Sequence, residues 1–347
     1  MVNLLDAERL GLLLHCLVEG NSCRGAARLS EVSVNTVYGW LDRSAAACAD
    51  FHDRRVRNLS LVSLQADELW GFVYVKAKRA DAAKSPPSFA GDVWTWLALD
   101  PATKLIVACH VGSRGAEDAA CFVADIAWRL DARVQLSTDG HAPYVEAVEA
   151  AFGAEIDFVQ LVKSHRTDDD GTELVEVFKN VVSGSPRELL ISTSLVERLN
   201  LTMRMSNRRL IRRTNGFSKR VRRHDAMMRV LVTYYNFCRV HGALKTTPAV
   251  AAGLADHVWD RRELARMIIE NSCPGSTRGP YQCDNSSGGL EFSLVRHWGR
   301  SRAVREDVVC ANCGSHWMPK DGRDTSGRQR YRCQDCGYRS VGKLAET

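Results

Sequence analysis

Residues 61–76, LVSLQADELWGFVYVK, decide the fold reading. Val62, Leu64 and Ala66 alternate with Ser63, Gln65 and Asp67, the two-residue period of a strand with one apolar face, so a strand is predicted over Leu61–Ala66 and a second over Phe72–Lys76. Working outward, Val93–Leu99 and Leu105–Val111 carry the same signature on either side of the turn-like Asp100-Pro101-Ala102-Thr103. A helix over Ala116–Leu130, a strand over Val134–Thr138, a helix over Tyr144–Phe152 and a strand over Phe158–Val162 follow. In the later strand Val134, Leu136 and Thr138 alternate with Gln135, Ser137 and Asp139. Asp67 and Asp139 therefore both fall on the more polar face at a strand's C-terminal end, where open α/β sheets form their sites.

Antiparallel-type strands followed by alternating helices and strands give an α/β class, in the order of a ribonuclease H-like mixed sheet with flanking helices, over residues 57–265. Residues 164–190 read as an insertion, marked by Asp168-Asp169-Asp170-Gly171 and Ser183-Gly184-Ser185-Pro186. Long helical patterns then cover Thr193–Leu210 and Lys219–Cys238. Ahead of the sheet, residues 1–56 read as helices: a Leu-rich segment, Ser22–Leu29, a turn at Ser30–Ser33 and Val34–Ala45 with Ser33 as its cap. Two short helices joined by a tight turn form a helix-turn-helix pattern, with Asn35 and Thr36 at the start of the helix that would read a DNA groove. Residues 266–305 read as a linker of low order, rich in Ser, Gly, Asn and Arg.

A chain of 347 residues suits two or three domains, and 45% apolar residues can fill real cores. A net charge of +6 says little about partners, but its distribution says more. Between Leu201 and His224 stand Arg204, Arg208, Arg209, Arg212, Arg213, Lys219, Arg220, Arg222 and Arg223 with no acid among them. Guanidinium forks match phosphate oxygens, so this run points to DNA backbone contact. Asp6 and Glu8 stand where a signal peptide would be positive, and no apolar run approaches a membrane span, so a cytoplasmic, non-membrane protein is expected, nucleoid-associated if bacterial.

Phosphoryl transfer by two metal ions needs carboxylates from distant segments converging on sites about 3.5 to 4 Å apart. Asp67, Asp139 and Glu197, the last on the helix after the insertion, are the candidates. Three stretches make the pattern specific: Asp67-Glu68-Leu69-Trp70-Gly71-Phe72-Val73, Thr138-Asp139-Gly140 with Tyr144 beyond it, and Val196-Glu197-Arg198-Leu199-Asn200-Leu201 with Arg204. With Phe217-Ser218-Lys219 and His224 they resemble, in order and over roughly residues 1–265, the acidic motifs of DDE transposases of the insertion sequence one family. The resemblance implies that Asp67, Asp139 and Glu197 bind two Mg²⁺ (or Mn²⁺) ions. It also implies cleavage of double-stranded DNA at the element's terminal inverted repeats, joining of 3'-hydroxyls to target DNA, and a homo-oligomer assembled on DNA. Asn200 and Arg204 share a helix face with Glu197 and are expected to hold DNA beside the metals. Strand parity sets Glu68 in an apolar row with Leu64, Ala66 and Trp70, so Asp67 is the expected ligand of the adjacent pair.

Of the twelve cysteines, four fall as Cys310-x-x-Cys313 and Cys333-x-x-Cys336, separated by residues 314–332. This spacing predicts a small C-terminal zinc ribbon over 306–343 holding one Zn²⁺ through four thiolates. In the family that the chain resembles such a segment lies ahead of the helix-turn-helix, so its place here is a departure. Two other readings share these features: a catalytically inactive or domesticated DNA-binding regulator, and a ribonuclease H-like nuclease or resolvase.

Overall fold

Six strands form one mixed sheet in the computed structural model, which describes residues 5–272 except 81, 84, 85, 88, 169, 170, 213 and 214, together with 320–323, 329–332 and 339–341. In chain order the first unit contains α1 Ala7–Val18, α2 Cys23–Leu29, α3 Val34–Arg55, β1 Ser63–Val73, β2 Gly91–Leu99, β3 Ile106–Gly112, α4 Ala116–Arg129, β4 Val134–Asp139, α5 Pro143–Phe152, β5 Ile156–Asp168, β6 Gly171–Ser183, α6 Ser194–Ser206, α7 Val221–Phe237, α8 Pro248–Ala251 and α9 Arg261–Asn271. The strands lie in the order β3-β2-β1-β4-β5-β6. β1, β2 and β3 pair antiparallel, β1, β4 and β5 pair parallel, and β6 returns antiparallel to β5.

Helices cover both faces of this α/β sheet. Leu64 and Ala66 of β1 face a core shared with Phe122 and Ile126 of α4 and Tyr144 and Val148 of α5. Leu69 and Val73, of opposite parity, face a second core shared with Val196 and Met203 of α6 and Met227 and Leu231 of α7. A strand buried on both faces reads as a near-continuous apolar run. For this reason β1 runs unbroken from Ser63 to Val73, where the alternation predicts two strands with a gap between Ala66 and Phe72. Asp67 therefore stands mid-strand and not at a strand's end.

The expected insertion is also structured. β6 and the extended β5 form a long antiparallel hairpin closing at Asp168 and Gly171, so backbone pairing with β5 adds a sixth strand. The helical pattern from Thr193 stops at Ser206, and a short 3-10 turn at Arg208–Leu210 follows. α9 runs to Asn271, past the expected linker start at 266; it is closed at its N-terminus by a capping box of Asp260 and Glu263.

The N-terminal helices begin on side-chain caps, with Asp6, Ser22 and Ser33 accepting from Arg9, Gly25 and Thr36 amides. They have no core of their own. Leu10, Leu14, Ala26, Val37 and Leu41 join the core of α6, α7 and α9, so α1, α2 and α3 pack within one compact unit, Met1–Ser272. Gly11 permits a close approach of α1 to α9, since a Cβ there would stand 2.7 Å from the carbonyl oxygen of Arg261.

The second unit, Cys273–Thr347, contains the antiparallel sheet β7 Lys320–Arg323, β8 Gln329–Arg332 and β9 Arg339–Val341. Cys310, Cys313, Cys333 and Cys336 lie outside the described residues, as does Arg213. Among the described residues no helix is long and apolar enough to cross a membrane.

Candidate metal centre

β1 and β4 run parallel with Gln65 opposite Ser137, and β4 ends two residues later at Asp139. Beyond that point β1 continues alone on this edge, and the sheet opens beside Asp67. The carboxylates of Asp67, Glu68 and Asp139 meet there, each offering an oxygen within 4.8 Å of the others. All three are hard oxygen donors, the kind that Mg²⁺ and Mn²⁺ take. Glu68 Oε1 is buried and, the pull of the Tyr144 hydroxyl on this carboxyl apart, has no hydrogen-bond partner, and a donor so placed fits a cation that could satisfy it. The three residues present could therefore hold a metal ion.

The opposite wall of the site is α6. Gln65 Oε1 accepts from the amides of Leu195 and Val196 at 3.0 and 3.1 Å, satisfying two of the N–H groups that the first turn of a helix leaves unpaired. What reads along the sequence as the polar side of β1 is thus the seat of this helix. One turn on, Asn200 Nδ2 donates to Asp67 Oδ2 at 2.8 Å. Glu197 lines the same cleft, of about 400 Å³, together with Asp67, Glu68, Asn200, Arg204 and Arg212. Its carboxylate does not join the cluster of three. Lys163 of β5 forms an ion pair with Glu197 Oε1, and Thr193 Oγ1 donates to the same oxygen at 2.7 Å.

Desolvation and mutual repulsion govern the acids. Burial, and then the charge of Asp139, push Asp67 up to about 6. The same two causes push Glu68 up to about 7, against the pull of Tyr144 and Arg114. Partial burial also pushes Glu197 up, but hydrogen bonds from Lys163 and Thr193 outweigh it and hold that carboxyl below its ordinary value. The cluster so resists full ionisation without a cation, as like charges in a low-dielectric site must.

Arg114 supplies one. It stands on the turn between β3 and α4, with Nε 3.0 Å from Glu68 Oε2 and Nη2 3.1 Å from Asp139 Oδ2. Asp118 fastens this turn, accepting from Ser113 N and Oγ at 2.8 and 2.6 Å and pairing with His110 Nε2 at 2.6 Å. Sequence reasoning weighed Glu68 and chose Asp67 over it, and it did not anticipate the places of Gln65, Arg114 and Lys163. Strand parity correctly puts Glu68 on the face opposite Asp67, but at an open strand edge its longer side chain still reaches the cleft.

The basic residues sort by exposure. Arg208, Arg212, Lys219 and Arg220 are exposed, and Arg204 is half-buried with Nη1 donating to Leu210 O at 3.0 Å. Arg209 is buried and donates to Cys23 Sγ at 3.1 Å, so it ties the 3-10 turn to α2 and is not displayed to a partner. His224 is buried beside Gly71, and burial lowers its pKa to about 4; it packs α7 on β1 and stays out of the cleft. Asn35 is exposed at the start of α3, whereas Thr36 Oγ1 is engaged with Ser33 Oγ at 2.8 Å. No protein-family model matches the chain, and no characterised protein matches it in sequence.

Proposed function

We propose that the chain is a metal-dependent DNA strand transferase of the DDE class, a transposase that acts on the ends of its own insertion sequence. The observation that carries the reading is the meeting of Asp67 and Asp139, 72 residues apart along the chain, at the open edge of β1 with Glu197 across one cleft. A ribonuclease H-like core of this strand order, with three acids on β1, β4 and a later helix, supports phosphoryl transfer between nucleic-acid hydroxyls and phosphodiesters. Asp67, Glu68 and Asp139 would hold Mg²⁺ or Mn²⁺, and Glu197 would complete the set once Lys163 releases it. Bound there, such ions stabilise the attacking and leaving oxygens of an in-line displacement.

The protein's own groups divide the remaining work. Asn200 fixes the rotamer of Asp67 through its donor hydrogen bond, and Gln65 fixes the helix that carries Asn200 and Glu197. Arg204 and Arg212 line the cleft mouth, where guanidinium groups can clamp a DNA phosphate. In the first step water adds to the scissile phosphorus and the P–O3' bond breaks, leaving a 3'-hydroxyl on the element. In the second that hydroxyl displaces the 3'-oxygen of a target phosphodiester, so one bond forms as one breaks. α2 and α3, as a helix-turn-helix, would select the terminal repeats, with Asn35 displayed, and the exposed arginines would hold the backbone. The C-terminal unit would be a zinc ribbon, for which elemental analysis should find one Zn²⁺ per chain.

Purified protein with a labelled DNA end, taken from any inverted repeats found in the DNA on either side of the gene, tests the reading. Mg²⁺-dependent cleavage is expected, and it should vanish in Asp67→Asn, Asp139→Asn and Glu197→Gln while DNA binding persists. Full activity in Asp139→Asn would overturn the assignment.

A further inference from the structure

Arg114 has more contacts than an arginine on a surface turn requires. Its guanidinium bridges two carboxylates of the cluster, Glu68 and Asp139, and also lies over the Trp94 ring, 4.8 Å from its centroid. Its carbonyl oxygen faces His141 Nε2 at 3.1 Å, and its turn is held by Asp118. The side chain is 38% exposed, whereas that of Glu68 is fully buried. The acid cannot leave the site without a change in the strand, but the arginine can swing outward about its side-chain torsions. A unit positive charge on two acids also leaves the cluster only partly satisfied.

We propose that Arg114 is the internal counter-ion of the carboxylate cluster, seated where a divalent cation binds and displaced when one does. The inference rests on the metal-centre reading above. Guanidinium and metal ion compete for the same oxygens of Glu68 and Asp139, so each lowers the occupancy of the other by linkage. The arrangement lets these acids fold close together without a metal, because Arg114 offsets part of the charge of Glu68 and Asp139 and Lys163 offsets that of Glu197. It also sets a threshold, since only a cation that binds the acids better than the arginine does will take the site.

The test is Mn²⁺ titration of the full-length, metal-free protein at mildly alkaline pH, followed by water-proton relaxation, for wild type, Arg114→Gln, Arg114→Lys and Asp139→Asn. Removing the competing charge should tighten Mn²⁺ binding by about tenfold or more in Arg114→Gln. Arg114→Lys, which keeps the charge, should stay near wild type. A purely structural role predicts the opposite sign, so unchanged or weaker binding by folded Arg114→Gln overturns the proposal. If Asp139→Asn binds Mn²⁺ as wild type does, the metal-centre reading itself fails; if Asp139→Asn loses the ion and Arg114→Gln gains nothing, only the counter-ion role fails. A second readout leaves Arg114 untouched. Mg²⁺ should change the tryptophan fluorescence of wild type as the guanidinium leaves the ring, and Trp94→Phe should abolish that change; a wild-type signal unmoved by saturating Mg²⁺ overturns the displacement.

Discussion

Asn200 Nδ2 lies 2.8 Å from Asp67 Oδ2, so the helix carrying Glu197 is tied to the central strand at the acid itself. This single bond spans 133 residues of sequence and sets both the rotamer of Asp67 and the distance from β1 to α6. Partners of this kind orient ligands, and their loss typically costs about 10- to 100-fold in metal affinity or activity. Asn200→Ala should show a loss in that range, in Mn²⁺ affinity and in cleavage, with the far-ultraviolet spectrum unchanged. An intact Mn²⁺ affinity would mean that Asp67 needs no such support.

Glu68 makes the metal-free protein sensitive to pH in a defined direction. Its folded pKa of about 7 exceeds the ordinary value of 4.5, so between these values the folded chain binds more protons than the unfolded one. Stability contributed by this group is therefore lost as pH rises through that window. Glu68→Gln should match wild type near pH 4 and be the more stable by on the order of 2 kcal/mol above about pH 7. Thermal melts of the two proteins across that range, with chelator present, measure the difference. Added Mg²⁺ should reverse it, since a bound cation favours the ionised carboxylate.

Two glycines separate a close approach from mere helix weakness. A methyl at Gly11 would meet the Arg261 carbonyl at 2.7 Å, on backbone that cannot give way. Gly11→Ala should destabilise the chain by about 1 to 3 kcal/mol through overpacking of α1 on α9. Gly39, within α3, has nothing within 4 Å of the same position. Gly39→Ala should instead stabilise by about 0.5 to 1 kcal/mol through helix propensity. Urea denaturation of both variants decides, and shifts of the same sign would discredit the packing of α1 on α9.

Exposure predicts how the arginines divide under mutation. Arg212→Ala with Arg220→Ala, both exposed, should weaken specific and random DNA alike and flatten the salt dependence of binding by about one unit of slope per lost phosphate contact. Arg209→Ala should lower the melting temperature, because its guanidinium is buried against Cys23. An effect of the exposed pair confined to one DNA sequence would place those two residues in base recognition.

Local pattern alone determined the α/β class of this fold, most of the order of its helices and strands, and the places of Asp139 at the end of β4 and Glu197 on α6. Alternation, caps such as Ser33 and the turn at Asp100 to Lys104 act over a few residues, and so they are legible without neighbours. The unbroken course of β1 was not, because a strand covered by helices on both faces loses the alternation that marks its ends. β6 was not, because it exists as a strand through pairing with β5 while several of its side chains stay exposed. At the site, only the tertiary structure decided that Glu68 turns into the cleft at the edge β4 leaves open, that Glu197 stays with Lys163, and that Arg114 reaches Glu68 from 46 residues away. Charges find their partners through space, and the energy that pairs them depends on burial and distance, neither of which is written in residue spacing.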